Sequence, residues 1–136
     1  MTEHFPVTIY HNPDCGTSRN ALAMIEAAGY APKIIYYRIA GWTGPLLGQL
    51  LAAMNAAPRD LLREKGTPAA ALGLLEPDVS DDAIIAAMLD HPILVNRPIV
   101  VTPRGAKLCR PSETVLDLLE NRPDSFTKED GEVVRS

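Results

Sequence analysis

A cysteine set where an apolar strand gives way to a helix constrains this chain more than any other feature. Val7-Thr8-Ile9-Tyr10 is a β-branched and aromatic run of the kind a buried strand requires, and Asn12-Pro13 breaks it. After His11-Asn12-Pro13-Asp14-Cys15-Gly16-Thr17-Ser18-Arg19-Asn20, the apolar residues Leu22, Ile25 and Ala28 recur at helical spacing, and Gly29 stands where a left-handed C-terminal cap belongs. Cys15 therefore lies at or just before the first helical turn. Backbone N–H groups there have no partner inside the helix, and the macrodipole adds roughly half a positive charge, so a thiolate or a bound oxyanion is favoured. A cysteine that only fills a core has no need of this turn, of Gly16 beside it, or of His11 at the end of the strand. Gly16 removes a Cβ next to the sulfur and lets a ligand approach the backbone. His11 is placed to stabilise the thiolate, as an imidazolium or as a hydrogen-bond donor. A free thiol titrates near ~8.5, and a drop of about two units, worth about 2.7 kcal/mol, makes the thiolate the main form at neutral pH.

The 136 residues suit one domain, 1–136, able to bury a core without disulfides or metal, with a polar C-terminal tail from about residue 123. Hydrophobic residues make up 46% and charged residues 22%, as in an ordinary globular protein. No apolar run approaches the ~18 to 20 residues of a membrane span, and Met1 to Pro6 lacks the basic and apolar regions of a signal peptide, so a cytoplasmic protein is expected. Cys15 and Cys109 are the two cysteines, which with three scattered histidines form no zinc pattern and no disulfide framework. No metal is expected. A net charge of −4 argues against bulk affinity for nucleic acid or an anionic membrane, whose electrostatic attraction needs clustered Lys and Arg. An anion must then be caught locally, and nine of the thirteen basic residues are arginines, whose planar fork matches a tetrahedral oxyanion.

Along the chain, Lys33 to Arg38 reads as a second strand, joined to the first by the helix in βαβ fashion and so parallel to it. Ala40 to Pro45 is a turn in which Trp42 covers a helix entry. Leu46 to Met54 is an amphipathic helix, Pro58 to Gly66 a short one opened by proline and closed by glycine, and Thr67 to Leu72 adds another turn or two. Ser80-Asp81-Asp82 caps a helix whose Ile84, Ile85, Met88 and Leu89 form one apolar face. Asn96 to Thr102 and Ala106 to Cys109 form a hairpin about Pro103-Arg104-Gly105, with Pro98 at the first position of its strand. Arg110-Pro111-Ser112-Glu113 caps a last helix with Val115, Leu118 and Leu119 inward. The fold class is α/β: a thioredoxin-like layout with a mixed sheet, a terminal β-hairpin and a helical insertion over about residues 43–90.

Four segments, Tyr10 to Asn20, His91 to Pro103, Leu108 to Glu113 and Phe126 to Gly131, closely resemble the glutaredoxin-coupled arsenate reductases in one ungapped register. The resemblance implies a thioredoxin-like fold and the reduction of arsenate to arsenite for arsenic detoxification. It implies Cys15 as the nucleophile, His11 as the residue that helps hold the thiolate, and Arg63, Arg97 and Arg110 as the trio that binds arsenate. Gly16, Thr17, Ser18 and Pro98 are the supporting loop residues, Pro98 following a cis peptide bond in that family. The chain departs from the family's usual pattern over Arg38 to Thr43, where an acidic-asparagine-proline turn is commoner and Gly41-Trp42 stands instead.

The implied partners are arsenate, glutathione as co-substrate and glutaredoxin, with no bound cofactor. Cys15 attacks As(V), glutathione attacks the adduct, arsenic is reduced, and glutaredoxin opens the mixed disulfide before arsenite leaves. Like charges meet in the first step, and each arginine aimed at them is worth roughly 2.7 to 4 kcal/mol by analogy with an oxyanion-hole donor. Outside thiols are needed because the resolving position of a Cys-x-x-Cys pair is Ser18, and strand alternation sends Cys109 away from the face that Arg110 uses. A phosphatase-like Cys-x5-Arg loop is absent, since the first arginine comes at Cys-x3-Arg. Two other activities compete: a general glutathione-dependent thiol oxidoreductase, and a regulator of the same fold that binds RNA polymerase.

Overall fold

A computed structural model describes residues 5–135. The first four residues, on which the expected lack of a signal peptide partly depends, and Ser136 lie outside them. The described chain groups into two compact units: one runs to Tyr36 and resumes at Arg97, and the other is Tyr37–Asn96.

The first unit carries the sheet. Its order is β2-β1-β3-β4, with β1 Thr8–His11, β2 Lys33–Tyr36, β3 Ile99–Thr102 and β4 Gly105–Leu108. β1 runs parallel to β2, with Ile9 opposite Ile34, and antiparallel to β3, with Ile9 opposite Val100, while β3 and β4 form the hairpin. This is the thioredoxin-like mixed sheet. Helix α1, Gly16–Ala27, supplies the crossover and is followed, after its C-cap Ala28, by Gly29, whose φ of +97° is the left-handed conformation that a glycine adopts without steric cost. Strand alternation turns Val7 and Ile9 into a core shared with Ala21, Met24 and Ile25 of α1, with Val100, and with Val115, Leu116, Leu118 and Leu119. The buried face of α1 is thus Ser18, Ala21, Met24 and Ile25, with Leu22 and Ala28 at its margin.

Two elements of this unit differ from expectation. The last helix is a 3-10 helix, Ser112–Leu118, and its end is held from the side. Thr102 Oγ1 donates to the Leu118 carbonyl, Arg104 Nη1 donates to the Leu119 carbonyl, and Tyr30 Oη accepts from the N–H groups of Glu120 and Asn121. The polar tail also folds: β5, Ser125–Thr127, pairs antiparallel with β6, Val133–Arg135, and Phe126 and Val134 pack against the core. The peptide bonds before Pro98 and Pro111 are both cis.

The second unit is inserted between β2 and β3 and contains α2 Tyr37–Ala40, α3 Gly44–Met54, α4 Pro58–Leu61 and α5 Asp81–Asp90. Thr43 caps α3 by accepting from the Leu46 N–H, and Ser80 caps α5 by accepting from Ala83. Trp42 stacks on Tyr37 with ring centroids 5.1 Å apart and donates Nε1–H to the Pro92 carbonyl, so it is a buried cover. The strand expected through Arg38 stops at Tyr36, and α2 begins at Tyr37. The helix expected through Gly66 stops at Leu61, because Leu62 pairs with Val95 in an isolated antiparallel bridge. Its flanking bonds, Arg63 N–H to the Leu94 carbonyl and Asn96 N–H to the Leu61 carbonyl, take the backbone groups that a longer helix would use. Residues 63–79 are turns, held in part by Arg59 donating to the carbonyls of Glu76 and Val79. The insertion is therefore less helical than expected. Among α5 residues, Ile84 and Met88 are buried, while Leu89 is exposed.

Ile25 is fully buried and Ile39 is 89% exposed. Ile25→Ala is expected to lower the unfolding free energy by about 2 to 5 kcal/mol in a urea titration, and Ile39→Ala to change it by less than about 0.5 kcal/mol.

Candidate active site

Cys15 stands in the N-cap position of α1 with extended backbone, and its own N–H closes a turn onto the Asn12 carbonyl at 3.0 Å. Asn12 is buried and shapes that turn from both ends. Its Oδ1 accepts from the Asp14 N–H at 3.0 Å, and its N–H donates to Ser18 Oγ at 3.1 Å. Ser18, in the first turn of the helix, is fully buried, and its Oγ lies 2.6 Å from His11 Nδ1. Strand end, turn and helix start are thereby tied by one hydroxyl.

Three groups face the sulfur. Arg110 Nη1 donates to Cys15 Sγ at 3.7 Å and to the Arg97 carbonyl at 2.9 Å. The Arg97 side chain also bonds the sulfur, as does the backbone N–H of Ser18. Burial opposes ionisation of Cys15, but these donors and the Arg97 charge outweigh it and bring the thiol down from 9.0 to about 7. The thiolate is then within reach near neutral pH. Burial lowers the pKa of His11, and the Arg19 charge lowers it further against Glu26, which favours the neutral imidazole. The hydroxyl of Ser18, having accepted from Asn12, has its proton available for the ring nitrogen. Of the two roles open to His11, an imidazolium is disfavoured, and its bond runs to Ser18, which in turn presents its N–H to Cys15.

The structure brings together Cys15, Ser18, Arg97 and Arg110, with His11 one bond behind. Gly16 and Thr17 open α1, half-buried beside the sulfur, and a Cβ on Gly16 would stand in ordinary contact with Arg19 and Glu129. Pro98 is buried, and its carbonyl accepts from the Cys109 N–H. Arg63 lies in the second unit, where Nε donates to the Lys65 carbonyl and Nη1 to Asn96 Oδ1, both at 3.1 Å. Cys109 is fully buried in the core, and burial raises its thiol to about 12. Among the described residues no group of three His, Cys, Asp or Glu is arranged to hold a metal ion, and no helix is long and apolar enough to cross a membrane.

Sequence reasoning passed over Asn12, seen only as a strand breaker, and the pairing of Arg19 with Glu129. Asn-Pro-Asp before the cysteine is an Asx-turn signal and offered the first of these. Nothing local to Arg19 announces a partner 110 positions away.

If the surrounding donors set the Cys15 pKa, iodoacetamide will alkylate one thiol of the native protein with a pH midpoint near 7, and both thiols only after denaturation. Arg110→Ala is expected to move that midpoint upward, toward the ordinary thiol range, and an unmoved midpoint would separate Arg110 from thiolate stabilisation.

The ArsC family matches residues 10–118. An arsenate reductase of Synechocystis sp. is 58% identical over 135 residues, covering 98% of this chain and 93% of the relative. An Escherichia coli arsenate reductase is 54% identical over 129 residues, covering 94% and 92%. The solved arsenate reductase of Vibrio cholerae superposes with a TM-score of 0.81 at 39% identity, over 86% of this chain and all of that one. The chain belongs to the ArsC family.

Proposed function

We propose that this chain reduces arsenate to arsenite, with Cys15 as the nucleophile and glutathione and glutaredoxin as the thiol reductants. The observation that carries the proposal is Arg110 Nη1 at 3.7 Å from a Cys15 sulfur whose pKa lies at about 7. A guanidinium charge beside a thiolate offsets the repulsion that meets an incoming oxyanion, while the thiolate supplies the attacking pair. Arg97 shares that task. For Arg63, a part in holding arsenate rests on the family resemblance alone.

The sulfur attacks arsenic and one arsenate oxygen leaves as water, forming an S–As(V) bond. Glutathione sulfur then attacks the adduct: an S–S bond forms to Cys15, the S–As bond breaks with its pair remaining on arsenic, and As(V) becomes As(III). Glutaredoxin thiolate opens the mixed disulfide by attack on the glutathione sulfur and returns Cys15 as thiolate, and arsenite, held until then by the arginines, leaves. Such a cycle suits a reducing compartment such as the cytoplasm. Cys109 takes no part, since its thiol is fully buried and protonated near neutral pH.

The test is arsenite formation from arsenate with glutathione and glutaredoxin. Turnover is expected in the native chain and in Cys109→Ser, none in Cys15→Ser, and at least a tenfold fall in kcat/KM in Arg97→Ala. Reduction of a glutathione mixed disulfide through Cys15 without arsenite formation would instead identify a general thiol oxidoreductase.

A further inference from the structure

The C-terminal hairpin reaches back to the turn that carries Cys15. Arg19 donates through Nε and Nη2 to Glu129 Oε2 and Oε1 at 2.8 and 3.0 Å, a two-pronged pair, and its remaining nitrogen Nη1 donates to the Pro13 carbonyl at 2.7 Å. The Glu129 N–H donates to Asn20 Oδ1 at 3.0 Å. Glu129 sits between β5 and β6, where Lys128 N–H donates to the Glu132 carbonyl and Lys128 Nζ pairs with Glu113 at 2.7 Å and Glu132 at 3.0 Å. One carboxylate, fixed by the hairpin, thus holds the guanidinium that holds the carbonyl two residues before the nucleophile. Glu129 Oε1 would also lie 3.7 Å from a Cβ at Gly16, the residue after it.

Stability is a poor account of this arrangement. Arg19 and Glu129 are 43% and 49% exposed, and ion pairs that open to water contribute little. What the pair does fix is direction, because a guanidinium bound on two edges has one orientation left for its third bond. We propose that Glu129 is a positioning residue for the Cys15 chemistry: through Arg19 it holds the Pro13 carbonyl, and with it the turn that aims the sulfur at Ser18 N–H, Arg97 and Arg110. The hairpin is then part of the working site.

The charged groups around Cys15 are Arg97 and Arg110 from the segments flanking the β3–β4 hairpin, Arg19 from α1 and Asp14 from the turn, with His11 behind Ser18. Field and position make opposite demands in Glu129→Gln. Loss of the carboxylate leaves the Arg19 charge uncompensated, which by field alone favours the thiolate and lowers the Cys15 midpoint. A loosened turn withdraws the donors from the sulfur and raises it.

The inference rests on Cys15 being the arsenate nucleophile, and its test separates the two. Glu129→Gln and Arg19→Lys, in the full chain, are followed by the pH dependence of iodoacetamide alkylation at Cys15, which needs no arsenate, and by thermal unfolding and arsenate turnover. Both variants are expected to raise the alkylation midpoint by about one pH unit, a roughly tenfold loss of thiolate below it, with Tm changed by less than about 3 °C. The double variant is expected to shift no further than either single one, since both break the same chain of bonds. A midpoint that stays or falls overturns the proposal, whether or not Tm drops. If the parent protein forms no arsenite while the midpoints still rise, the positioning stands and the arsenate chemistry fails.

Discussion

A negative charge on a buried sulfur is the costly item in this structure, and the first unit is arranged to offset it. Burial alone pushes the Cys15 thiol upward, yet the balance comes out at about 7 because Ser18 N–H, Arg97 and Arg110 all face the sulfur. Each donor comes from a different place in the chain. Ser18 belongs to the first helical turn, Arg97 precedes β3, and Arg110 follows β4. The sheet order β2-β1-β3-β4 makes β1 and β3 neighbours, so the end of β1, which leads into the cysteine turn, and the start of β3 share one edge of the same ladder. Fold and electrostatics are in this sense one requirement.

In the proposed reaction the same donors also meet the substrate. Groups that favour a thiolate also favour a tetrahedral oxyanion, so under the proposed function one set of donors serves both the nucleophile and arsenate. Arg110 illustrates the economy, with one nitrogen shared between Cys15 Sγ and the Arg97 carbonyl. His11 serves differently. Neutral and bonded to Ser18 Oγ, it orients the residue whose backbone donates to the sulfur.

What could be read in the sequence follows the range of the interactions involved. The strand, the turn and the helix around Cys15 are set by neighbours in sequence, and Asn12-Pro13, Gly16 and Gly29 mark them without tertiary help. That Cys109 and Arg110 point to opposite sides was legible for the same reason, and Cys109 is buried in the core while Arg110 bonds Cys15. Long-range pairing was not. Leu62 leaves a helix-forming stretch to bridge Val95, and the strands of the C-terminal hairpin have three residues each, too few to show an alternation. Arg97 and Arg110 were singled out by resemblance rather than pattern, since no periodicity marks an arginine as facing a sulfur from across the sheet.

The most direct measurement is the fate of the Cys15 sulfur in a reaction stopped before glutaredoxin acts. Reduced protein, arsenate and glutathione are mixed without glutaredoxin, quenched in acid and mapped by mass spectrometry. The account predicts glutathione joined to Cys15 alone, in an amount that depends on arsenate, with Cys109 still a free thiol. Glutathione incorporation that is indifferent to arsenate, or a disulfide between Cys15 and Cys109, would contradict it.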